Sequence, residues 1–273
     1  MTRREFGKIA AALPLACGAG LAAKRIPVGL QLYSVRKDCE RDLPGTLSAI
    51  SKMGYEAVEF AGYYKRSAKE LRKLLDDNGL KCCGTHTALE TVLGAELPKT
   101  IEFNQTIGNR NLIVPWLDHD KYLKPKSNLI KTAKMFSEIA AKLKPQGMRV
   151  GYHNHNVEFQ PMDGSTPFNI FFENSSKDVC VQVDVGNALM GGGDPVSVIR
   201  RFPGRSISIH MKDWKPGEDA TLFGQGNVNW KDVFQACETV GGTEWYIIEY
   251  ESETEPPIPS VKKCLDAFHA MRS

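Results

Sequence analysis

The feature that most narrows the fold is an alternation, repeated eight times from Lys24 onward, of short apolar runs with longer amphipathic ones. Residues 27–33 (PVGLQLY), 55–60 (YEAVEF), 81–86 (KCCGTH), 111–114 (NLIV) and 148–153 (MRVGYH) have the length and composition of strands. A sixth run ends at Asp184, a seventh at His210, and the eighth is 245–249 (WYIIE). The segments between them carry helix signals. Ser67-Ala68-Lys69-Glu70 is a capping box whose helix stops at Asn78-Gly79. Thr166-Pro167 and Asp194-Pro195 each place a capping side chain before a proline in the first turn, and Asn229 caps a further helix. Ser127 is expected to cap a long helix in which Leu129, Ala133, Phe136, Ile139, Ala140 and Leu143 share one face. Residues 43–53, the stretch from about Leu97, and 261–271 complete the helical set.

Parallel strands need a crossover between them, usually a helix. Eight such units in a 273-residue chain predict a closed α/β barrel of the (β/α)8 or TIM type, which typically takes about 250 residues. The parity within the strands agrees. Glu59 lies opposite Val58 and Phe60, His153 opposite Val150 and Tyr152, and His210 opposite Ile207 and Ile209. A polar set facing the barrel axis and an apolar set facing the helices would read this way. An open doubly wound sheet would carry a glycine-rich phosphate loop after its first strand, and Ser34-Val35-Arg36-Lys37 is not one. No composition break divides residues 25–273, so one barrel domain is expected there.

Residues 1–24 stand outside the pattern. Arg3-Arg4 precedes an uncharged stretch, 9–23, that is shorter than the roughly 20 apolar residues of a spanning helix. We read it as an export signal of the twin-arginine type, cleaved near Ala22-Ala23, which places the mature protein in the periplasm. Cys17 offers a lipoprotein alternative, against which Pro14 stands where an aliphatic residue is usual. The other six cysteines show no CxxC spacing. Cys82 and Cys180 lie inside apolar runs and are expected as core thiols, with one disulfide compatible with export. A formal net charge of +3, partly from the export segment, gives no reason to expect a nucleic-acid partner. Self-association into a homo-oligomer is left open, and no membrane contact is expected beyond the signal.

In such a barrel the site lies at the C-terminal strand ends. Gln31, Glu59, His86, Trp116, His153, His155, Glu158, Asp184, Asn187, His210, Lys212 and Glu249 all fall there, and with them four of the six histidines. Asp184, His210 and Glu249 end three consecutive strands, and a carboxylate–imidazole set on adjacent strands suits one divalent ion: Mn²⁺, Co²⁺, Mg²⁺ or Zn²⁺. The fifth strand offers Glu158, five residues beyond its end, or His153 or His155.

Seven stretches together carry a resemblance: GLQLYSVR (29–36), YEAVEF (55–60), GYHNHNVEF (151–159), VDVGN (183–187), IHMKDW (209–214), GQGNVNW (224–230) and IIEYE (247–251). In them the chain resembles the xylose isomerase-like barrel family of sugar isomerases, epimerases and related, inosose dehydratase-like enzymes. The resemblance implies Glu158, Asp184, His210 and Glu249 as metal ligands. It also implies proton transfer beside a carbonyl, with Glu158 and Glu249 as bases on opposite sides of the sugar and Lys212 holding an anionic oxygen. His153, His155 and His86 would bind hydroxyls or act as acid, and Gln31, Glu59, Trp116 and Asn187 would contact or orient the sugar. Many epimerases of the family carry the fifth-strand Glu on the strand itself, where this chain has His153. The expected activity is a metal-dependent isomerase or epimerase of an unphosphorylated sugar or keto-sugar, acting through an enediolate. Two other readings are a lyase or hydratase that eliminates a β-substituent from a 3-keto-glycoside or polyol-derived ketone, and a non-catalytic sugar-binding barrel.

Overall fold

The computed structural model describes residues 25–218, 220–252 and 254–273. The expected export segment, with Cys17, lies outside the described residues. In chain order the elements are β1 (Val28–Gln31), α1 (Arg36–Met53), β2 (Ala57–Phe60), α2 (Ala68–Asp77), β3 (Lys81–His86), α3 (Leu97–Thr106), β4 (Asn111–Val114), α4 (Lys126–Leu143), β5 (Arg149–His153), α5 (Pro167–Asn174), β6 (Cys180–Asp184), α6 (Val185–Met190), α7 (Pro195–Arg201), β7 (Ser208–Met211), α8 (Trp230–Ala236), β8 (Trp245–Ile248) and α9 (Pro257–Arg272). The eight strands close into one barrel, each parallel to the next and β8 parallel to β1. The (β/α)8 fold expected from the alternation is the fold observed.

Strand parity sorts the side chains into two layers. Val58, Phe60, Val150, Tyr152, Val181, Val183, Ile209, Met211, Tyr246 and Ile248 join the helix residues Leu47, Leu71, Phe136, Phe171, Val233 and Leu265 in the main core. Burying each such side chain contributes about 1.5–3 kcal/mol. The opposite faces of the strands form a small separate plug inside the barrel, made of Ala57, Cys83 and Ile247 with Trp245 packed on it. Polar residues take over further along the same inward rows: Gln31, Glu59, Gln182, Asp184 and His210 are all fully buried. The site is therefore built on fully buried side chains of the barrel strands.

The capping residues act as expected. Ser67 and Glu70 form the capping box of α2. Thr166, Asp194 and Asn229 accept backbone hydrogen bonds at the starts of α5, α7 and α8. Two details differ. Lys126–Leu143 begins one residue before Ser127, because Pro125 already sets the entry at φ −68°. Helix α1 starts well before residue 43 but bends at Asp42 (φ −153°), whose carboxylate accepts from the Gly45 amide. Pro44 has no amide to continue the ladder there, so the second half of α1 restarts as a newly capped helix. The six described cysteines are free and buried, and burial pushes the Cys39, Cys180 and Cys237 thiols up to about 12. No helix among the described residues is long and apolar enough to cross a membrane.

Candidate active site

Four strands deliver four candidate ligands. Asp184 pairs in register with His210, and His210 with Ile247, two residues before Glu249. His153 is the last residue of β5. One ligand atom from each of His153, Asp184, His210 and Glu249 lies within 4.8 Å of the other three, and all four residues are buried. His210 Nδ1 is 2.6 Å from Glu249 Oε2, and His153 Nε2 is 3.9 Å from Asp184 Oδ2. Asp184 Oδ1 accepts from the Asn187 amide at 2.7 Å and so caps α6, while its Oδ2 is buried with no hydrogen-bond partner. An unsatisfied buried acceptor costs about 1–3 kcal/mol. A cation between Asp184, His153, His210 and Glu249 would satisfy it, and a two-imidazole, two-carboxylate set fits a first-row divalent ion. His86, His153 and His210 form a second converging group, through His86 on β3.

The charges in this cluster are strongly coupled to one another. Burial works against the His210 imidazolium, but Glu249 and Glu59 outweigh it and hold its pKa up at about 10. Burial likewise opposes the Glu59 and Glu249 anions. His86 and His210 overcome it for Glu59, and His210 and Lys212 for Glu249, so both sit well below the usual carboxylate range. Asp184 goes the other way: burial pushes it up to about 7, with Glu249 adding to the rise and Lys212 and His210 opposing it. Burial, then the neighbouring imidazoles His210 and His86, holds His153 neutral. Lys212 resists its own burial because Glu249, Asp184 and Glu251 surround it, and its Nζ donates to Glu251 at 2.5 Å.

The structure brings some of the expected residues together and separates others. Glu158 does not reach the four-ligand cluster. Its Oε1 accepts from Tyr152 Oη at 2.6 Å and its Oε2 from the His155 amide at 2.8 Å. Tyr152 points away from the axis into the Phe136–Phe171 aromatic layer, so a carboxylate bound to it is held on the helix side. His153, facing the axis, occupies the fifth-strand place instead. Gln31 and Glu59 lie wholly beneath the ligands, Gln31 donating to Glu59 at 2.7 Å; they cannot touch a sugar at the mouth. Asn187 is drawn into α6 as a backbone partner of Asp184. His86 remains part-buried, with Nε2 3.0 Å from Gln182 Oε1. His155 is half-buried with its ring 5.2 Å from that of His153. Trp116 is 59% exposed and lines a different groove, with Leu89, Asp118, Lys121 and Tyr122.

Gln182 and Asn154 were not expected. Asn154 bonds the Asp184 backbone in both directions, Nδ2 to the carbonyl at 3.1 Å and Oδ1 to the amide at 3.0 Å, tying the end of β5 to the end of β6. Gln182 sits two residues before Asp184, so strand parity alone marks it as facing the axis. A cavity of about 210 Å³ opens beside the ligands, lined by Glu249, Lys212, Glu251, Trp214, Met190 and Thr221 among others. Its floor is held by Asp213, which accepts from the Gly224 amide at 2.8 Å and from Trp230 Nε1 at 3.0 Å. Gly226 has no room for a side chain there: a Cβ would lie 2.1 Å from Asp213 Oδ1.

A parallel barrel with a converging imidazole–carboxylate set at its C-terminal mouth has its site where (β/α)8 enzymes keep theirs. Residues 47–272 match the family model described as Xylose isomerase-like TIM barrel, and the chain belongs to that family. Among curated relatives, the Inosose dehydratase of Lacticaseibacillus casei is 22% identical over 255 residues, 78% of this chain and 85% of that protein. The L-ribulose-5-phosphate 3-epimerase UlaE of Salmonella paratyphi A is 33% identical over 85 residues, 30% of each chain. Among solved structures, a sugar phosphate isomerase/epimerase from Parabacteroides distasonis superposes with a TM-score of 0.75 at 24% identity, covering 94% of this chain and 98% of that one. The IOLI protein, described with a binding zinc atom, superposes with a TM-score of 0.70 at 13% identity, covering 90% and 97%. The structural likenesses are likenesses of fold. The chain is thus related to sugar isomerases and epimerases and to inosose dehydratase.

Proposed function

We propose that the protein is a divalent-metal-dependent isomerase or epimerase of an unphosphorylated sugar or keto-sugar. The observation that carries this reading is the four-ligand cluster with its unpartnered Asp184 Oδ2, open to a sugar-sized cavity through Glu249. When bound, the ion would place positive charge on a substrate carbonyl or hydroxyl oxygen and lower the cost of an enediolate. Glu249, held anionic by His210 and Lys212, is the base that takes the proton next to the carbonyl. Lys212 supplies a fixed positive charge to the oxygen side of the substrate, and His155 is the group poised to return a proton. The charge balance favours a neutral substrate. Among the described residues the cation lining this cavity is Lys212, already shared by Glu249, Asp184 and Glu251, so a phosphate dianion would meet carboxylates there.

A second reading, elimination of a β-substituent from the same enediolate, is favoured by Glu158. With both its oxygens held by Tyr152 and the His155 amide, Glu158 is not a second base facing Glu249, whereas exchange of a proton between two faces of a sugar calls for two bases. One relative matched over most of its length is named Inosose dehydratase, which points the same way. A panel of free sugars and 3-keto-glycosides, assayed with Mn²⁺ and again after EDTA, tests both readings. Turnover that needs the metal and places solvent deuterium beside the carbonyl supports the proposal, with an α,β-unsaturated ketone and a released β-substituent marking elimination. Tight sugar binding without turnover on any substrate, metal present, would instead make the chain a binding protein.

A further inference from the structure

Beneath the four ligands lies a second buried layer, and its hydrogen-bond directions are fixed by chemistry. Glu59 accepts on both oxygens: Oε2 from Gln31 Nε2 at 2.7 Å and from His210 Nε2 at 2.6 Å, and Oε1 from Gln182 Nε2 at 2.8 Å. Gln182 Nε2 also donates to Ser208 Oγ at 2.9 Å. Because a carboxylate only accepts, the amide nitrogen of Gln182 must face Glu59, and its oxygen must face the other way. That oxygen lies 3.0 Å from His153 Nδ1 and 3.0 Å from His86 Nε2. An amide oxygen only accepts, so both imidazoles donate to it. His153 therefore carries its proton on Nδ1 and keeps its Nε2 lone pair towards Asp184. By the same logic His210 donates from both nitrogens, Nε2 to Glu59 and Nδ1 to Glu249, each at 2.6 Å, and Nδ1 is the one that would give up its proton to an ion.

We propose that Glu59 and Gln182 are positioning residues that hold the far nitrogen of each ligand histidine protonated, Nε2 of His210 and Nδ1 of His153, so that an ion would meet Nε2 of His153 and Nδ1 of His210. The backbone is shaped to hold this layer. The β2–β3 register shifts between Val58 and Glu59, and Gly84 faces the Glu59 carboxylate where a Cβ would lie 2.3 Å from Oε1. Glu59 and Gln182 are both 0% exposed, so they act on a ligand ion or substrate only through the imidazoles. Hydrogen bonds of this kind to metal-ligating histidines typically carry about 10–100-fold in metal affinity.

The inference rests on the metal-binding reading above, and its test separates the two. Full-length mature protein, the Gln182→Met variant and the Glu59→Gln variant are labelled with ¹⁵N-histidine. The side-chain tautomers are assigned by long-range ¹H–¹⁵N correlation before and after Zn²⁺ loading, and Zn²⁺ affinity is measured by competition with a chromophoric chelator. The expected result is His153 with its proton on Nδ1, loss of that preference in Gln182→Met, and affinities about 10–100-fold lower in both variants. Thermal denaturation of the metal-free proteins confirms that each variant is folded. Should Glu59→Gln not fold, Gln182→Met alone decides, since it leaves the carboxylate in place. Variants that keep the parental tautomers and Zn²⁺ affinity overturn the inference. Failure of the parent protein to bind Zn²⁺ overturns the metal reading instead. The His153 tautomer in metal-free parent and Gln182→Met protein still tests the part assigned to Gln182.

Discussion

Metal binding at this site should release protons, and the structure sets how many. A ligand atom must be unprotonated to coordinate. His210 is held up at about 10 by Glu249 and Glu59, so between pH 6 and 8 it is an imidazolium that must lose its Nδ1 proton to bind an ion. Asp184, raised to about 7 by burial and Glu249, is mostly anionic at pH 8 and mostly protonated at pH 6. His153 is already neutral across this range. The sign follows: both raised groups compete with the ion as pH falls, so affinity falls with it. From pH 8 to pH 6 His210 contributes about a hundredfold and Asp184 about tenfold, about a thousandfold in all. The slope of log affinity against pH should be about one above pH 7 and approach two below it. Chelator competition with Zn²⁺ or Mn²⁺ at half-unit pH steps reads the slope, and calorimetry in buffers of different ionisation heat counts the protons independently. The variant Asp184→Asn should bind more weakly and keep a slope of about one throughout. An affinity independent of pH between 6 and 8, or release of no proton at pH 7, would refute the arrangement of His210 between two carboxylates as the ligand-bearing state.

The other expected outcomes concern single residues. Glu249→Gln keeps an oxygen ligand but cannot accept a proton, so turnover should fall by at least about 10²–10⁴-fold while the fold, read by circular dichroism, is retained; near-parental turnover with metal bound would sink the base assignment. Glu158→Ala removes two acceptors from buried donors and should cost about 2–3 kcal/mol in urea denaturation, yet leave about one bound ion per chain; loss of the ion without loss of stability would return Glu158 to the ligand set. Residues 1–24 are proposed as an export signal, so N-terminal sequencing of protein from its own host should find a chain starting near Lys24, and an intact Met1 on cytoplasmic protein would dispose of that reading.

The barrel was legible because its determinants are local and repeat. Strand runs, capping residues and Pro at first helical turns each speak for a few residues, and eight repetitions make the closed sheet hard to avoid. The elements that were missed lack such signals. Helix α6 follows β6 without a break, and its cap is Asp184, a residue read for its chemistry rather than for its backbone role. The first half of α1 was hidden because Asp42 and Pro44 interrupt the helical pattern where the chain bends but does not stop.

The site was legible to the extent that strand parity reaches. Asp184, His210 and Glu249 end strands, and a strand decides which of its side chains meet the axis. The same rule applied to β5 selects His153 and rejects Tyr152, and applied to β6 it selects Gln182 along with Asp184. Glu158 was placed by its motif, and parity has nothing to say about a loop. Once the chain leaves β5, the direction of a side chain depends on which partners are in reach. For Glu158 these are a phenol on the helix side and an amide three residues back. Glu59 shows the converse. Parity sends it inward correctly, but depth along the strand, set by the β2–β3 register shift and the space at Gly84, puts it one layer below the mouth. That turns an expected sugar contact into a support for His210. Direction is written in the alternation of a strand, whereas depth is written in the stagger between strands, which no single strand's sequence carries.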